Sequence, residues 1–470
     1  MSTNDIAGVR DEPARARQRF DDLRRIIAGK VYTADDPEWD DVRRPWARAV
    51  DQTPLAVVEV ADAQDVGMAV RWAVDNDRPV TAQPVGHGAS GSLDQVLLLR
   101  TRALNSIKID LPSRTATIGA GVKAGELLRA LKDTGLTFLM GSNPDPTVVA
   151  MAITGGVSWF GRAHGLAANA IESIELVDGL GRTRHVSRTS DADLFWALRG
   201  GGGDFGIIVS LRIRLFPEPE LYGGQLLWPL EQTPVVLRAF RELTRTAPDR
   251  LTAWFHRYHF PPLPHLPQEL RGRSFAAIAV TYLGPQHEAE QLIEPLRGIP
   301  VPALGRLGPV PMDELASIAE EPVDPMPTMQ HSMLVRELTD ATIDALDARI
   351  GEGSDPAVTL VKVLHLGGAL RTAHDGEGAC GHIDEPYLVF AMGVLTGPDS
   401  RDAITRGFVG LDSALSAWTD GRTLPNFMGA DGDVDLIWPP AVRDRLAEIK
   451  RRIDPMNTIR GNRAVLPNHH

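Results

Sequence analysis

Three glycine clusters constrain this chain more than any other feature: QPVGHGASG at 83–91, ITGGVSWFGRAHGLAAN at 153–169 and DLFWALRGGGGDFG at 193–206. Glycine lacks Cβ, so successive backbone N–H groups can converge on an anion, and such loops suit a pyrophosphate. Taken singly, each run is equally a tight turn, and Gly200 to Gly203 reads first as a helix-to-strand connection. Gly86, Gly88 and Gly91 have the G-x-G-x-x-G spacing of a nicotinamide-dinucleotide fingerprint. That fingerprint closes a strand, opens a helix and has an acidic residue about 20 positions later. Here SLDQVLLLRTRALNSIKID follows, which reads as strand and turn, so the context argues against it.

Composition narrows the class. The chain has 470 residues, too many for one ordinary core, so two or three substructures are expected to pack as one body. Lys plus Arg number 49 against 61 Asp plus Glu, a net charge of -12, which disfavours non-specific nucleic-acid binding. The single cysteine, Cys380, excludes an intrachain disulfide, a four-cysteine zinc site and a cysteine-ligated iron–sulfur cluster. No metal site is expected. The opening MSTNDIAGVRDEPARARQRFDDLRR lacks an apolar stretch, and no run of about 18 apolar residues occurs, so neither a secretory signal nor a membrane span is expected. A soluble, cytoplasmic enzyme is the expectation.

Periodicity supplies the elements. FDDLRRIIAGK (20–30) reads as a helix closed by Gly29, TPLAVVEV (53–60) as a strand, and ADAQDVGMAVRWAVDN (61–76) as a helix with Val66, Val70 and Ala73 on one stripe. Residues 78–91 form a short strand entering a loop, 114–122 a strand, and 124–135 a helix stopped by Gly135. Residues 171–186 give two strands around a turn, and 207–216 alternates, with Val209, Leu211, Ile213 and Leu215 on one side. Proline-rich stretches at 259–267, 299–312 and 322–327 read as loops; 359–368 and 387–394 read as strands, and 442–455 as a helix ended by Pro455.

The joint order of the motifs is more specific than any one of them. G-H-G at 86–88 is followed by NPDPTVVAMAITGG (143–156), HGLAAN (164–169), E-L-V-D-G (175–179) and DLFWALRGGGGDFGI (193–207). This resembles the vanillyl-alcohol-oxidase/p-cresol-methylhydroxylase (PCMH-type) flavoproteins, in particular their berberine-bridge-enzyme-like branch. Residues 29–66 look like the branch's entry segment, and LPNFMG (424–429) with IKRRIDPMNTIRGN (449–462) like its C-terminal return, so the likeness covers nearly the whole chain. The resemblance implies an α+β fold: a PCMH-type FAD-binding domain of two α+β subdomains at 1–220, a substrate domain with an antiparallel sheet backed by helices at 221–425, and a return to the FAD domain at 426–470.

The resemblance also implies roles. His87 takes the position whose imidazole is joined to the flavin 8α carbon, giving monocovalent FAD. The second, cysteine attachment point of many relatives falls at Asp145, and Cys380 is expected far off in the other domain. Backbone N–H groups of Val85, Gly86, His87, Gly88, Ala89 and Ser90, and of Thr154, Gly155 and Gly156, are expected to face the phosphates. Gly206, Ile207 and Ile208 should edge the adenine. Gly141, Pro146, Thr147, Val148 and Asn462 complete the expected cofactor contacts. Val148 matches an oxygen-gate position where valine accompanies oxidases and leucine or isoleucine dehydrogenases; its bland alternative is a core contact on a buried strand.

Flavin N5 accepts a hydride from a C–H bond held about 3–3.5 Å away, while a base takes the neighbouring O–H or N–H proton. Inner strands of the substrate domain offer His256, Tyr258, Lys362 and His365 as candidates. The branch's usual Tyr-Gly before the last helix is replaced by IWPP (437–440), and its Ala-x-x-x-Arg element reads ACGHI (379–383), so the familiar base is not in place. The expected activity is an oxidase taking a hydride from an alcohol- or amine-type carbon of a small molecule, with molecular oxygen as acceptor and hydrogen peroxide as product. Open alternatives are a dehydrogenase with another acceptor, a monooxygenase-like enzyme on polyketide-type substrates, and a flavin-binding protein without turnover.

Overall fold

The computed structural model describes residues 20–466 except 92, 261, 263–267 and 301–303. Parts of the proline-rich stretches 259–267 and 299–312, and the opening segment before residue 20, lie outside the described residues.

The first third of the chain builds a four-stranded sheet in the order Lys30–Tyr32, Ala56–Glu59, Leu97–Arg100, Val80–Ala82. Leu97–Arg100 is buried along its whole length and pairs in parallel with both neighbours, as strands covered on two faces do. The crossover helix Ala63–Asp75 is started by Asp62, whose carboxylate accepts from the Gln64 and Asp65 N–H groups. It buries Val66, Val70 and Ala73, the stripe expected from spacing. Arg100 binds the carbonyls of Val42, Arg43, Arg44 and Gln83, fastening the entry segment beside the His87 loop.

A five-stranded antiparallel sheet follows, in the order Ile107–Asp110, Thr115–Gly119, Ile207–Arg214, Ile171–Val177, Thr183–Ser187. Leu211 and Ile213 point inward as expected, but a register shift between Ile208 and Ser210 puts Val209 in a bulge. The helix expected over 124–135 ends at Ala130, because Asp133 and Gly135 take positive φ and turn the chain. Val148 opens a short helix, Val148–Ile153, rather than lying on a strand. The last helix, Pro440–Ile453, starts earlier than expected, at a proline suited to a first turn.

Residues beyond 220 form a seven-stranded antiparallel sheet in the order Leu304–Pro309, Leu221–Pro229, Ser274–Leu283, Leu251–His259, Leu360–His365, Tyr387–Val394, Thr328–Val335. Helices Thr233–Thr246, Asp340–Ile350 and Ser400–Leu415 back one face, through Val236, Leu237, Phe240, Leu346, Ile404 and Leu411. Trp254, Ala279, Leu364 and Leu388 of the other face join the core of the first half, where Trp254 stacks on Trp159 with ring centroids 3.6 Å apart. Arg162 crosses the same boundary, donating to the carbonyls of Leu251 and Leu366. Among the described residues no helix is long and apolar enough to cross a membrane.

After residue 455 the chain returns to the first sheet: Val80 N–H donates to Thr458 O and Arg460 N–H to Val80 O. A buried ion cluster holds this return. Lys450 Nζ, fully buried, donates to Asp454 Oδ2 (2.8 Å), Asp204 O (2.7 Å) and Ile459 O. The Asp204 carboxylate accepts from Gly461 and Val465 N–H.

Candidate active site

Two chains of polar residues meet at the segment 142–147. The first begins at His87, whose Nε2 lies 2.8 Å from Asp145 Oδ2; Lys123 Nζ is bonded to the other carboxylate oxygen. Trp46 stacks on the imidazole at 4.1 Å, and its N–H is held by Val85 O. Asn462 closes the loop from the far side: its Nδ2 donates to Gly88 O, and Ser90 Oγ donates to its carbonyls. In the second chain Ser142 Oγ donates to Glu321 Oε1 (2.7 Å), which is ion-paired with Lys362. Asn143 Nδ2 holds the same loop at Pro322 O. Glu320 stands at φ 48°, a left-handed conformation rare outside glycine, and this turn aims Glu321 inward.

Strand alternation sorts the roof candidates. Trp254, His256 and Tyr258 share one face of their strand, and His256 sits directly opposite Lys362. His365 is three residues from Lys362 and therefore faces the other way. It packs with Tyr387 (6.1 Å) beside the backing helices, so the expectation that both face one site is corrected. His256 Nδ1 receives Tyr258 Oη (2.7 Å) and Gln225 Nε2 (3.0 Å), while its buried Nε2 has no partner among the described residues. With Nδ1 accepting, the proton sits on Nε2, and His256 presents a donor rather than a base.

Electrostatics follow burial. Burial, then the Lys362 charge, hold His256 well below the usual histidine range; burial and Arg162 do the same for His365. Burial pushes the Tyr258 hydroxyl up, so it stays protonated. Burial also pushes Glu321 up, but Lys362 and Ser142 outweigh it and keep the carboxyl below its ordinary value. Two histidines kept neutral in the fold but free to charge when unfolded have a pH signature. Below about pH 6.5 the unfolded chain binds protons that the folded chain refuses, so stability falls by up to about 1.4 kcal/mol per pH unit for each. Thermal midpoints should be flat in this term above that pH and drop below it, and His365→Leu should shallow the drop.

The glycine loops leave open space at two positions. A Cβ on Gly88 would meet nothing nearer than Asn462 Nδ2 at 3.8 Å, and one on Gly203 nothing nearer than Ile153 at 4.0 Å. The N–H groups of Gly86, His87, Gly88, Ser90 and Gly203 have no acceptor among the described residues. Open backbone faces and free donors next to His87 fit an extended dinucleotide. The 154–156 turn differs from expectation: Gly155 N–H donates to Ala152 O and Gly156 N–H to Asn426 Oδ1, so these donors are already used. Asn426 also binds Thr154 Oγ1 (2.6 Å), clamping the turn. Ala89 N–H turns back to Gly86 O. Gly206, Ile207 and Ile208 enter the central strand of the second sheet, and Gly141 lies against Met151 and Val157. Pro146 O accepts from Ala124 N–H, and Thr147 caps the helix that Val148 opens. Cys380, expected far away, packs against Gly155 and Gly200, its N–H on Arg199 O; burial pushes its thiol up to about 12.

Gly88 is the clean probe of this pocket. Gly88→Val adds a side chain the protein tolerates and a dinucleotide does not, so flavin content should fall to near zero while the thermal midpoint of flavin-free protein is unchanged. Gly155→Val cannot serve, since Gly155 has φ +107° and its Cβ would lie 3.1 Å from Cys380 Sγ.

Sequence reasoning missed Glu321, Ser142, Gln225, Lys123 and Asn426. Gln225 lies on the strand Leu221–Pro229 and the other four lie outside strands, and each acts on a partner at least 22 residues away.

Comparisons with known proteins agree with this geometry. The FAD binding domain family matches residues 54–187. The (R)-6-hydroxynicotine oxidase of Paenarthrobacter nicotinovorans is 26% identical over 94% of this chain and 97% of its own length. Among solved structures, 6-hydroxy-D-nicotine oxidase from Arthrobacter nicotinovorans superposes with a TM-score of 0.80 at 24% identity, covering 94% of this chain and 98% of that one. Physcomitrella patens BBE-like 1 gives 0.82 at 18% identity, covering 97% and 100%. The chain therefore carries a PCMH-type FAD binding domain, is similar along nearly its whole length to the FAD-linked oxidoreductase (R)-6-hydroxynicotine oxidase, and shares its fold with a BBE-like protein.

Proposed function

We propose that this chain is an FAD-dependent oxidase of a small organic molecule, with oxygen as its second substrate and FAD joined to His87. The observation that carries the reading is the convergence of Lys362, His256 and Tyr258 on one roof face, tied through Glu321 and Ser142 to the segment bearing Asp145, the partner of His87. FAD bound there supplies a two-electron acceptor for a hydride from an alcohol- or amine-type carbon.

The protein's own groups divide the remaining work. The His256 Nε2–H, held neutral and without a partner among the described residues, donates to an acceptor atom of the substrate. Lys362 places the reacting O–H or N–H, and the ionised Glu321 takes its proton. The Trp159–Trp254 stack walls the site with apolar surface and excludes water. Residues 1–220 would hold the cofactor, 221–425 the substrate, and 426–470 would seal the His87 loop. The single cysteine suits a reducing compartment, and we place the protein in the cytoplasm.

The test is an anaerobic screen of secondary alcohols, cyclic amines and oligosaccharides for flavin bleaching, followed by an aerobic peroxide assay on each hit. Bleaching with stoichiometric peroxide supports the reading. Bleaching that is reversed only by quinones or dyes replaces it with a dehydrogenase.

A further inference from the structure

Gln225 meets His256 across an intervening strand. Gln225 lies opposite Ala279 and His256 opposite Ala277, so the strand between them carries only methyl groups at those positions and leaves the amide room to reach over. Gln225 Nε2 stands 3.0 Å from His256 Nδ1 and 3.0 Å from Tyr258 Oη, and that hydroxyl is itself 2.7 Å from the same Nδ1. Tyr258 alone could not orient this group. A hydroxyl can donate or accept, so a tyrosine facing a neutral imidazole allows either tautomer. An amide NH2 only donates. With its two N–H groups on Oη and Nδ1, Tyr258 must pass its own proton to Nδ1, and the imidazole keeps its proton on Nε2. The reverse amide orientation would turn an acceptor to both partners, draw a proton onto Nδ1 and leave a bare lone pair on Nε2.

The Nε2 edge is buried without a partner among the described residues, and so is the indole Nε1 of Trp254, two residues earlier on the same face. Lys362, opposite His256, is a third donor, its ammonium 5.8 Å from the Trp254 ring centroid. Glu321 supplies the acceptor in this group. We propose that Gln225 is the positioning residue that locks His256 as a donor, and that the roof thereby selects a substrate with an acceptor oxygen or nitrogen beside its reacting carbinol carbon. The proposal rests on the oxidase reading above and sharpens its substrate from alcohol- or amine-type carbons to alcohols. The hydroxyl gives its proton to Glu321, and the neighbouring acceptor takes the His256 Nε2–H. A protonated amine in the same place sets N–H against N–H and leaves buried donors unpaired, the kind of mismatch by which polar sites reject close analogues.

Nitrogen-15 NMR of the full-length protein labelled at histidine decides the lock. Wild type should show His256 protonated on Nε2 only, and Tyr258→Phe should keep that form, since Gln225 still donates to Nδ1. Gln225→Glu puts an acceptor of the same shape in place of the donor and should bring a proton onto Nδ1. An Nδ1–H signal in wild type, or an unprotonated Nδ1 in Gln225→Glu, overturns the proposal. Anaerobic titration tests the selection with each alcohol that bleaches the flavin in the screen above. Replacing its neighbouring acceptor atom by CH2 should weaken apparent affinity at least about tenfold in wild type and less than about threefold in Gln225→Glu. Equal losses in the two proteins, or amines that reduce the flavin faster than alcohols, overturn the proposal while leaving the oxidase reading intact. A flavin that no alcohol or amine bleaches overturns that reading, and the NMR result still decides the lock.

Discussion

Lys362→Met should cut the rate of flavin reduction by about 10²–10⁴-fold with flavin content unchanged, the range over which a positioned proton-transfer group acts. Methionine keeps the length of the stem, so the sheet survives, while the ammonium over the Trp254 ring is lost. What is lost is the cation opposite His256 and beside Glu321. Without it the causes acting on Glu321 reverse: burial remains, its main counter-charge is gone, and the carboxyl rises and is no longer reliably ionised. The group placing the substrate proton and the group receiving it therefore fail together. Lys362→Arg, which restores the charge, should recover part of the rate. Anaerobic stopped-flow reduction measures both, and an unchanged reduction rate in Lys362→Met would move the proton-handling role elsewhere.

Lys450→Met acts at a distance from the chemistry and should cost about 3–5 kcal/mol of stability, the usual penalty for stripping a buried charge of its partner. Asp454 loses its cation, and Asp204, whose carboxyl burial already pushes up, loses its main compensation. Their remaining partners are the N–H groups of Thr458, Ile459, Gly461 and Val465, all in the C-terminal return. Loosening that strip frees Asn462 from Gly88 and Ser90. A lowered thermal midpoint should therefore come with faster flavin loss from any non-covalent fraction. Methionine fills the volume, so this loss would reflect charge rather than a cavity.

The cofactor half was legible because its constraints are local. Glycines stand where backbone turns tightly or lies open, and G-H-G, the T-G-G turn and the four-glycine run each show that demand in adjacent letters, although the T-G-G turn and most of the four-glycine run spend it on internal packing and hydrogen bonds. The strand in SLDQVLLLR was readable as a strand, but its parallel pairing with both neighbours was not, because pairing partners lie outside the run itself. The roof was half legible. The strand-like run 359–368 placed Lys362, the resemblance placed His256 and Tyr258 on another inner strand, and the odd separation of Lys362 from His365 already contained their opposite orientation. Glu321 could not be found this way, because it lies in the aperiodic stretch EEPVDP and gains its role from the left-handed turn at Glu320. Asp145 was singled out only as a missing cysteine; its contact with His87 spans 58 residues of sequence, and no spacing rule encodes it. Cys380 shows the same limit, since its distance along the chain hid its place between the glycine loops.

Reoxidation by oxygen is the central claim, and Val148 gives it a structural handle. Val148 is 4% exposed at the start of its helix, its N–H on Val122 O, one residue after the cap Thr147 and three after Asp145. Isoleucine adds one methylene to this tightly enclosed position and reduces whatever room a diatomic molecule has there. The deciding measurement is stopped-flow mixing of reduced enzyme with air-saturated buffer. Reoxidation well above the rate of free reduced flavin, slowed in Val148→Ile, is the predicted result; a wild-type rate no faster than free flavin would contradict the oxidase account.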